Sequence, residues 1–217
     1  GECLDNRQQL SVVADRQDTC YVDCHFVSLR ESSRNAFPVG GRLKHLWHRW
    51  KSIGASRGVI RWLRFGYPLQ FDRQVLTQKG LPQLSLTASP NLVANYVDQV
   101  KQVALTSMID QLVQKRCIRK MQAQEAGFFS RAFLVPKKSG GWRLVIDLSL
   151  LNTYLSSVTF EMDTLAKVKR STQAGMWASS LDLSDAYHHI PIREKDRKFL
   201  CFQVGSEKYM YLVLPFG

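Results

Sequence analysis

The spacing of apolar positions changes along this 217-residue chain, and each change predicts a different element. Residues 1–35 mix polar, charged and apolar side chains without a sustained period, which predicts a poorly ordered segment. From Phe37 a helical period takes over. Leu43, Trp47 and Trp50 share one face, and Val59, Trp62 and Leu63 share another. The stretch "IGAS" separates the two groups, so two short helices are predicted behind a Pro/Gly entry. Gly66 to Pro90 is rich in Gln, Pro, Gly and Thr and reads as an extended linker. A long helix follows, roughly Pro90 to Lys120, with Leu92, Tyr96, Val100, Val103, Ala104, Ile109, Leu112 and Val113 on its apolar side. The cations of "KRCIRK" would end it, where the helix dipole favours positive charge.

Beyond that helix the period shortens. "SRAFLVPKK" reads as a strand, Ser139 to Gly141 as a tight turn, and "WRLVIDL" as the returning strand of a hairpin. Residues 162–173 suit a helix. "MWASSLDL" is predicted as a buried strand, and "FLCFQVGSEKYMYLVL" as a hairpin turning at Gly205 to Glu207. The fold class is therefore α+β, an antiparallel sheet preceded by a basic helical extension. Its parts are an N-terminal segment (1–35), the extension with its linker (36–90), and the main body (91–217).

Charge narrows the partners. The chain carries 30 Lys+Arg against 18 Asp+Glu, a net charge of +12, which favours a polyanion and nucleic acid first. Between Ser32 and Phe71 stand eight Lys/Arg and no Asp or Glu. Of these, Arg42, Lys44, Arg49, Lys51, Arg57, Arg61 and Arg64 interleave with aromatic residues, the pattern of a phosphate-tracking face with stacking rings. A solvated basic face over an apolar stripe gives the same pattern, and the two accounts are compatible if the rings are mostly buried. No apolar run is long enough to span a membrane, and no signal peptide opens the chain. Five scattered cysteines suit reduced thiols in the cytoplasm or nucleus. Cys20, Cys24 and His25 lack a matching second pair, so incidental thiols are preferred over zinc.

The segment "LDLSDAYHHIPI", Leu181 to Ile192, places two carboxylates three residues apart in apolar surroundings. Unpaired buried carboxylates are costly, so these residues need partners. If "MWASSLDL" is a strand, Asp182 projects from the face that carries Ala178 and Ser180, at the strand's end, as a metal-binding carboxylate would. Ser184 to Tyr187 would then turn the backbone away and leave an open position beside it. An ordinary Asp starting a turn is the plainer alternative. His188 and His189, as adjacent strand residues, would point to opposite faces and read as structural or template-facing rather than catalytic.

Three separated stretches then act together: "AFLVPKKSGGWRLVIDLSLLN", "SLDLSDAYHHIPI", and a hairpin ending in "LPFG". From about Phe128 to Gly217 the chain resembles the fingers and first part of the palm of reverse transcriptases from LTR-type retroelements, of the Ty3-like and DIRS-like groups. "VGGRLKHLWHRWKSIGAS" more loosely resembles the segment preceding the polymerase in DIRS-like elements. The resemblance implies an RNA-directed DNA polymerase that uses two Mg²⁺ ions, an RNA or DNA template-primer and a dNTP. It implies that Asp182 is the first catalytic carboxylate and binds both ions, with the Leu183 carbonyl as a further ligand. It places the Asp185 and Ala186 backbone against the triphosphate, and makes Tyr187 the ring that excludes a ribose 2′-hydroxyl. Arg143, and Lys137 or Lys138, would grip the triphosphate, and Phe216 would line the nucleotide pocket. Asp147 and Asn152 would hold the fingers together by hydrogen bonds.

These roles suit phosphoryl transfer, which needs bridging metals and clamped charge more than covalent chemistry. Hard Mg²⁺ prefers carboxylate and carbonyl oxygens, and an arginine fork fits phosphate oxygens. A two-metal site needs another carboxylate, which the family takes from a Tyr-x-Asp-Asp-like hairpin downstream of "LPFG". No such hairpin is present before Gly217. The expectation is a partial polymerase that is inactive alone. The alternatives are a non-catalytic nucleic-acid-binding module and a decayed retroelement relic.

Overall fold

A computed structural model describes residues 37–77, 84–137, 140–156, 163–173, 175–177 and 182–216. The expectation for residues 1–35 therefore lies outside the described residues. The predicted helix pair is present as α1 (Leu43–Ser52) and α2 (Arg57–Phe65). The Ser56 hydroxyl caps α2 by accepting from the Val59 N–H, and Gly54, at φ +83°, makes the turn between the helices. Leu63 is buried, whereas Trp50 is 37% exposed, so the tryptophans are less enclosed than the apolar stripe suggests.

The linker reading of residues 66–90 is corrected. Its described parts, 66–77 and 84–90, are bonded to the body as a strap, and the first contains the short helix α3 (Arg73–Thr77). Tyr67 bridges to Ile192, Phe71 to Leu155 and Thr87 to Gly127. Buried Asp196 accepts from the Leu69 N–H (3.0 Å) and pairs with Arg193 (2.8 Å). Lys208 donates to the carbonyls of Ala88 (2.8 Å) and Ala123 (2.6 Å), closing the far end of the strap. Gln/Pro/Gly/Thr composition reported the lack of a repeating period, but these single anchors leave no period to read.

The long helix is shorter than expected. Before it, β1 (Val93–Ala94) pairs with the sheet, and helix α4 runs only from Gln99 to Gln114. Asp98 sets the start, its carboxylate accepting from the N–H groups of Val100 and Lys101. Arg116, at φ +56°, sets the end by taking a left-handed conformation that helices do not continue through. "KRCIRK" thus spans the helix end and β2 (Ile118–Lys120). Leu105, Ile109 and Leu112 form the buried face of α4, while Val100 (70%) and Val103 (58%) are exposed.

Both predicted hairpins are present. In the first, β3 (Ala132–Pro136) pairs antiparallel with β4 (Trp142–Ile146), and Gly140 and Gly141 have positive φ at the turn. The Tyr96 hydroxyl accepts from the Leu134 N–H (2.7 Å), tying this hairpin to the segment before α4. Asp147 accepts from the Ser149 N–H at the start of the short helix α5 (Ser149–Asn152). The predicted helix near 162–173 is α6 (Leu165–Ser171).

In the second hairpin, β5 (Cys201–Val204) pairs with β6 (Glu207–Tyr211). They are the middle of a four-stranded sheet ordered β1-β5-β6-β2, antiparallel except for the parallel β1–β5 pair. Leu105, Ile109 and Leu112 of α4 join Ile118, Phe202, Tyr211, Leu144 and Ile146 in one buried cluster. Burial pushes the Cys117 and Cys201 thiols up to about 12, as expected of incidental core cysteines.

Candidate active site

Segment Ile190–Ile192 lies antiparallel to the chain after β6: the Ile192 N–H donates to Leu212 (3.0 Å) and the Leu214 N–H to Ile190 (3.0 Å). This pairing brings "LPFG" beside "DAYHH". On the other side, the Ile146 N–H at the end of β4 donates to the Phe216 carbonyl (3.3 Å), which brings in the first hairpin. Alternation along β4 buries Leu144 and Ile146 and turns Arg143 outward. Three parts of the sequence thus converge on one cavity of about 570 Å³.

Lys137, Arg143, Asp182, Leu183, Asp185, Ala186 and Phe216 all line that cavity. Tyr187 is not among the cavity residues; it is half exposed, with its ring edge-on to Phe216 at 5.0 Å. The Arg143 guanidinium lies 5.9 Å from the Phe216 ring centroid. Lys138 lies outside the described residues, so of the two candidate lysines the structure places only Lys137. The basic residues Arg42, Lys44, Arg49 and Lys51 lie on or beside α1, and Arg57, Arg61 and Arg64 lie on α2. None of them is among the cavity residues. Arg64 covers the Trp47 ring at 4.9 Å, and His45 stacks on Phe37 at 4.2 Å, so this face combines cations with aromatic rings.

The proposed strand leading to Asp182 is corrected where it can be seen. Met176 (56%) and Trp177 (95%) are exposed and not in a strand, and residues 178–181 lie outside the described residues. The expected turn does follow Asp182. Asp185 takes φ +54°, and Ala186–His189 form one 3-10 turn. The histidines are therefore not on opposite faces of a strand. His189 contacts the Ser184 carbonyl (3.0 Å), while His188 is buried and packs on Phe216 (5.1 Å). Its Nδ1 makes no hydrogen bond and lies 3.8 Å from the Asp185 carboxylate. Burial pushes the imidazole toward its neutral form, against the pull of Asp185.

Asp185 has the partner its surroundings demand. Lys115, at the C-cap of α4, donates to its carboxylate at 2.7 Å. Burial opposes ionisation of Asp185, but the Lys115 ammonium outweighs it and holds the carboxyl below the usual range. Lys115 and His188 line the cavity but were missed as site residues. In the sequence, Lys115 sits in a helix-ending basic run and His188 in what reads as a strand. No local motif marks either.

Asp182 and the Leu183 backbone supply hard oxygen, the right chemical type for magnesium. Asp185 is already paired with Lys115, and among the described residues no group of three His, Cys, Asp or Glu could hold a metal ion. The set fits part of a magnesium site, one further carboxylate short.

Residues 135–217 match the family described as reverse transcriptase (RNA-dependent DNA polymerase). That match covers the C-terminal part of the chain, which is similar to a reverse transcriptase segment. The Transposon Tf2-3 and Tf2-4 polyproteins of Schizosaccharomyces pombe are each 31% identical over 117 residues, 54% of this chain and 9% of theirs. The chain spans about a tenth of the length of these relatives. The foamy viral protease-reverse transcriptase dRH in complex with ds DNA has a TM-score of 0.50 and 19% identity, over 62% of this chain and 23% of that one. The same viral protein in complex with RNA/DNA hybrid gives 0.50 and 18%, over 69% and 18%. That likeness concerns the fold, the α+β fingers and palm of a reverse transcriptase. Among the described residues, no helix is long and apolar enough to cross a membrane.

Proposed function

We propose that this chain supplies the fingers and the first palm carboxylate of an intracellular RNA-directed DNA polymerase. In the reaction a primer 3′-hydroxyl attacks the α-phosphorus of a dNTP. A phosphodiester forms, pyrophosphate leaves, and the hydroxyl proton passes to solvent or base. The observation that carries this reading is the convergence of Lys137, Arg143, Asp182 and Phe216, from three distant stretches, on one cavity. Arg143 and Lys137 would hold the triphosphate, the arginine as a fork and the lysine as a point charge. The Asp185–Ala186 backbone would lie against it, and Tyr187 beside Phe216 would occupy the space of a 2′-hydroxyl. Asp182 and Leu183 would hold magnesium, which supplies Lewis acidity and charge neutralisation at the reacting phosphate. The chain alone would not polymerise, because one carboxylate makes half a two-metal site.

The basic, ring-bearing face of α1 and α2 supports a template-primer as the second ligand, held through phosphates and stacking. The same face also suits a purely nucleic-acid-binding role, so nucleotide binding is the discriminating test. Titration of the 217-residue chain with dTTP is expected to show magnesium-dependent binding. Arg143→Ala should weaken it on the order of tenfold or more, and Asp182→Asn should remove the magnesium dependence. Nucleic-acid binding with no dTTP binding would contradict the proposal. Primer extension by the chain alone, abolished by Asp182→Asn, would contradict its dependence on a missing carboxylate.

A further inference from the structure

Both ends of the α1–α2 pair are bonded to the backbone directly behind the cavity. At the entry, the Gly40 N–H donates to the Lys115 carbonyl (2.7 Å) and the Gly41 N–H to the His188 carbonyl (2.9 Å). At the exit, the Tyr67 N–H donates to Pro191 (2.7 Å), and Tyr67 accepts from the Arg193 N–H (3.0 Å). The entry requires glycine. A Cβ on Gly40 would collide with the Arg116 carbonyl, which is main chain and cannot step aside, and Gly41 sits at φ +69°.

The two residues gripped by this clip flank Asp185. Lys115 ends α4, and the left-handed Arg116 turns the chain away immediately after it. The Lys115 ammonium then crosses to the Asp185 carboxylate at 2.7 Å, a contact between residues 70 apart in sequence. Asp185 is itself at φ +54°, an uncommon state for a residue with a Cβ, so the corner depends on outside support. His188, at the other end of the 3-10 turn, donates its N–H to the Asp185 carbonyl (2.9 Å) and is held through its own carbonyl by Gly41.

We propose that Lys115 is a positioning residue of the nucleotide site. Held through its carbonyl by the Gly40–Gly41 clip and through its ammonium by Asp185, it fixes the left-handed corner at Asp185–Ala186. This role rests on the proposed function, in which the triphosphate lies against that corner. The helical extension is on this account part of the nucleotide site's scaffold as well as a basic surface.

The test uses the 217-residue chain with magnesium dTTP and dTMP as probes, and backbone amide exchange as an independent readout. Lys115→Met is expected to speed exchange at the His188 and Ile190 amides, whose bonds close the 3-10 turn. It should weaken dTTP on the order of tenfold and leave dTMP nearly unchanged, because the corner faces the outer phosphates. Lys115→Arg keeps the charge and should restore both readouts. Gly40→Ala should reproduce the Lys115→Met pattern with every charge in place. A wild-type chain that binds no dTTP overturns the proposed function and this role with it. A wild type that binds dTTP, with Lys115→Met binding it equally well, overturns the role alone.

Discussion

At the scale of single residues, what matters is which side chains share the cavity. Asp182 and Arg143 could be read from the sequence because each sits in a motif, one in "LDLSDAY" and one after a Gly-Gly turn. Lys115 and His188 could not, because their importance comes from contacts made across the fold. The Lys115–Asp185 pair is 2.7 Å long, yet nothing near either residue announces the other. The sharpest residue-level expectation concerns Tyr187, whose ring is steadied edge-on by Phe216. Tyr187→Ala should open space beside the sugar. In the 217-residue chain, binding of UTP should then approach that of dTTP, a gain on the order of tenfold in relative affinity. Unchanged discrimination in a competition titration would remove Tyr187 from the proposed sugar-sensing role.

At the scale of elements, the hairpins and the short helices were legible, since alternation, Gly turns and helical spacing are local signals. The ends of α4 were not. An apolar period from Leu92 to Val113 looks continuous, but Asp98 caps the helix after a strand that pairs with β5, and Arg116 stops it by a left-handed turn. The strap from Gly66 to Pro90 was missed for a related reason. It is held by separate anchors, among them buried Asp196, which serves both the Leu69 N–H and Arg193. Asp196→Ala would strand that buried donor and should destabilise the chain by about 2 kcal/mol. Urea denaturation measures this directly. A midpoint equal to that of the wild type would show that the strap contributes little to folding.

At the scale of the whole molecule, a net charge of +12 accompanies a cavity lined by Lys137 and Arg143, and the proposed function joins the two as polyanion and triphosphate binding. The resemblance to reverse transcriptases was legible because three short stretches keep their order and distances. What the sequence did not reveal is that the basic helical extension is bonded to the back of the cavity at Lys115, His188, Pro191 and Arg193. The central claim is that the converging motifs form a nucleotide site, and chemical-shift mapping of the isotope-labelled chain with magnesium dTTP tests it most directly. The account predicts that the amide signals of Arg143, Asp182 to Tyr187 and Phe216 move together along one saturating titration curve. Signals that stay fixed there, or that move only along α1 and α2, would contradict it and leave a nucleic-acid-binding surface without a nucleotide pocket.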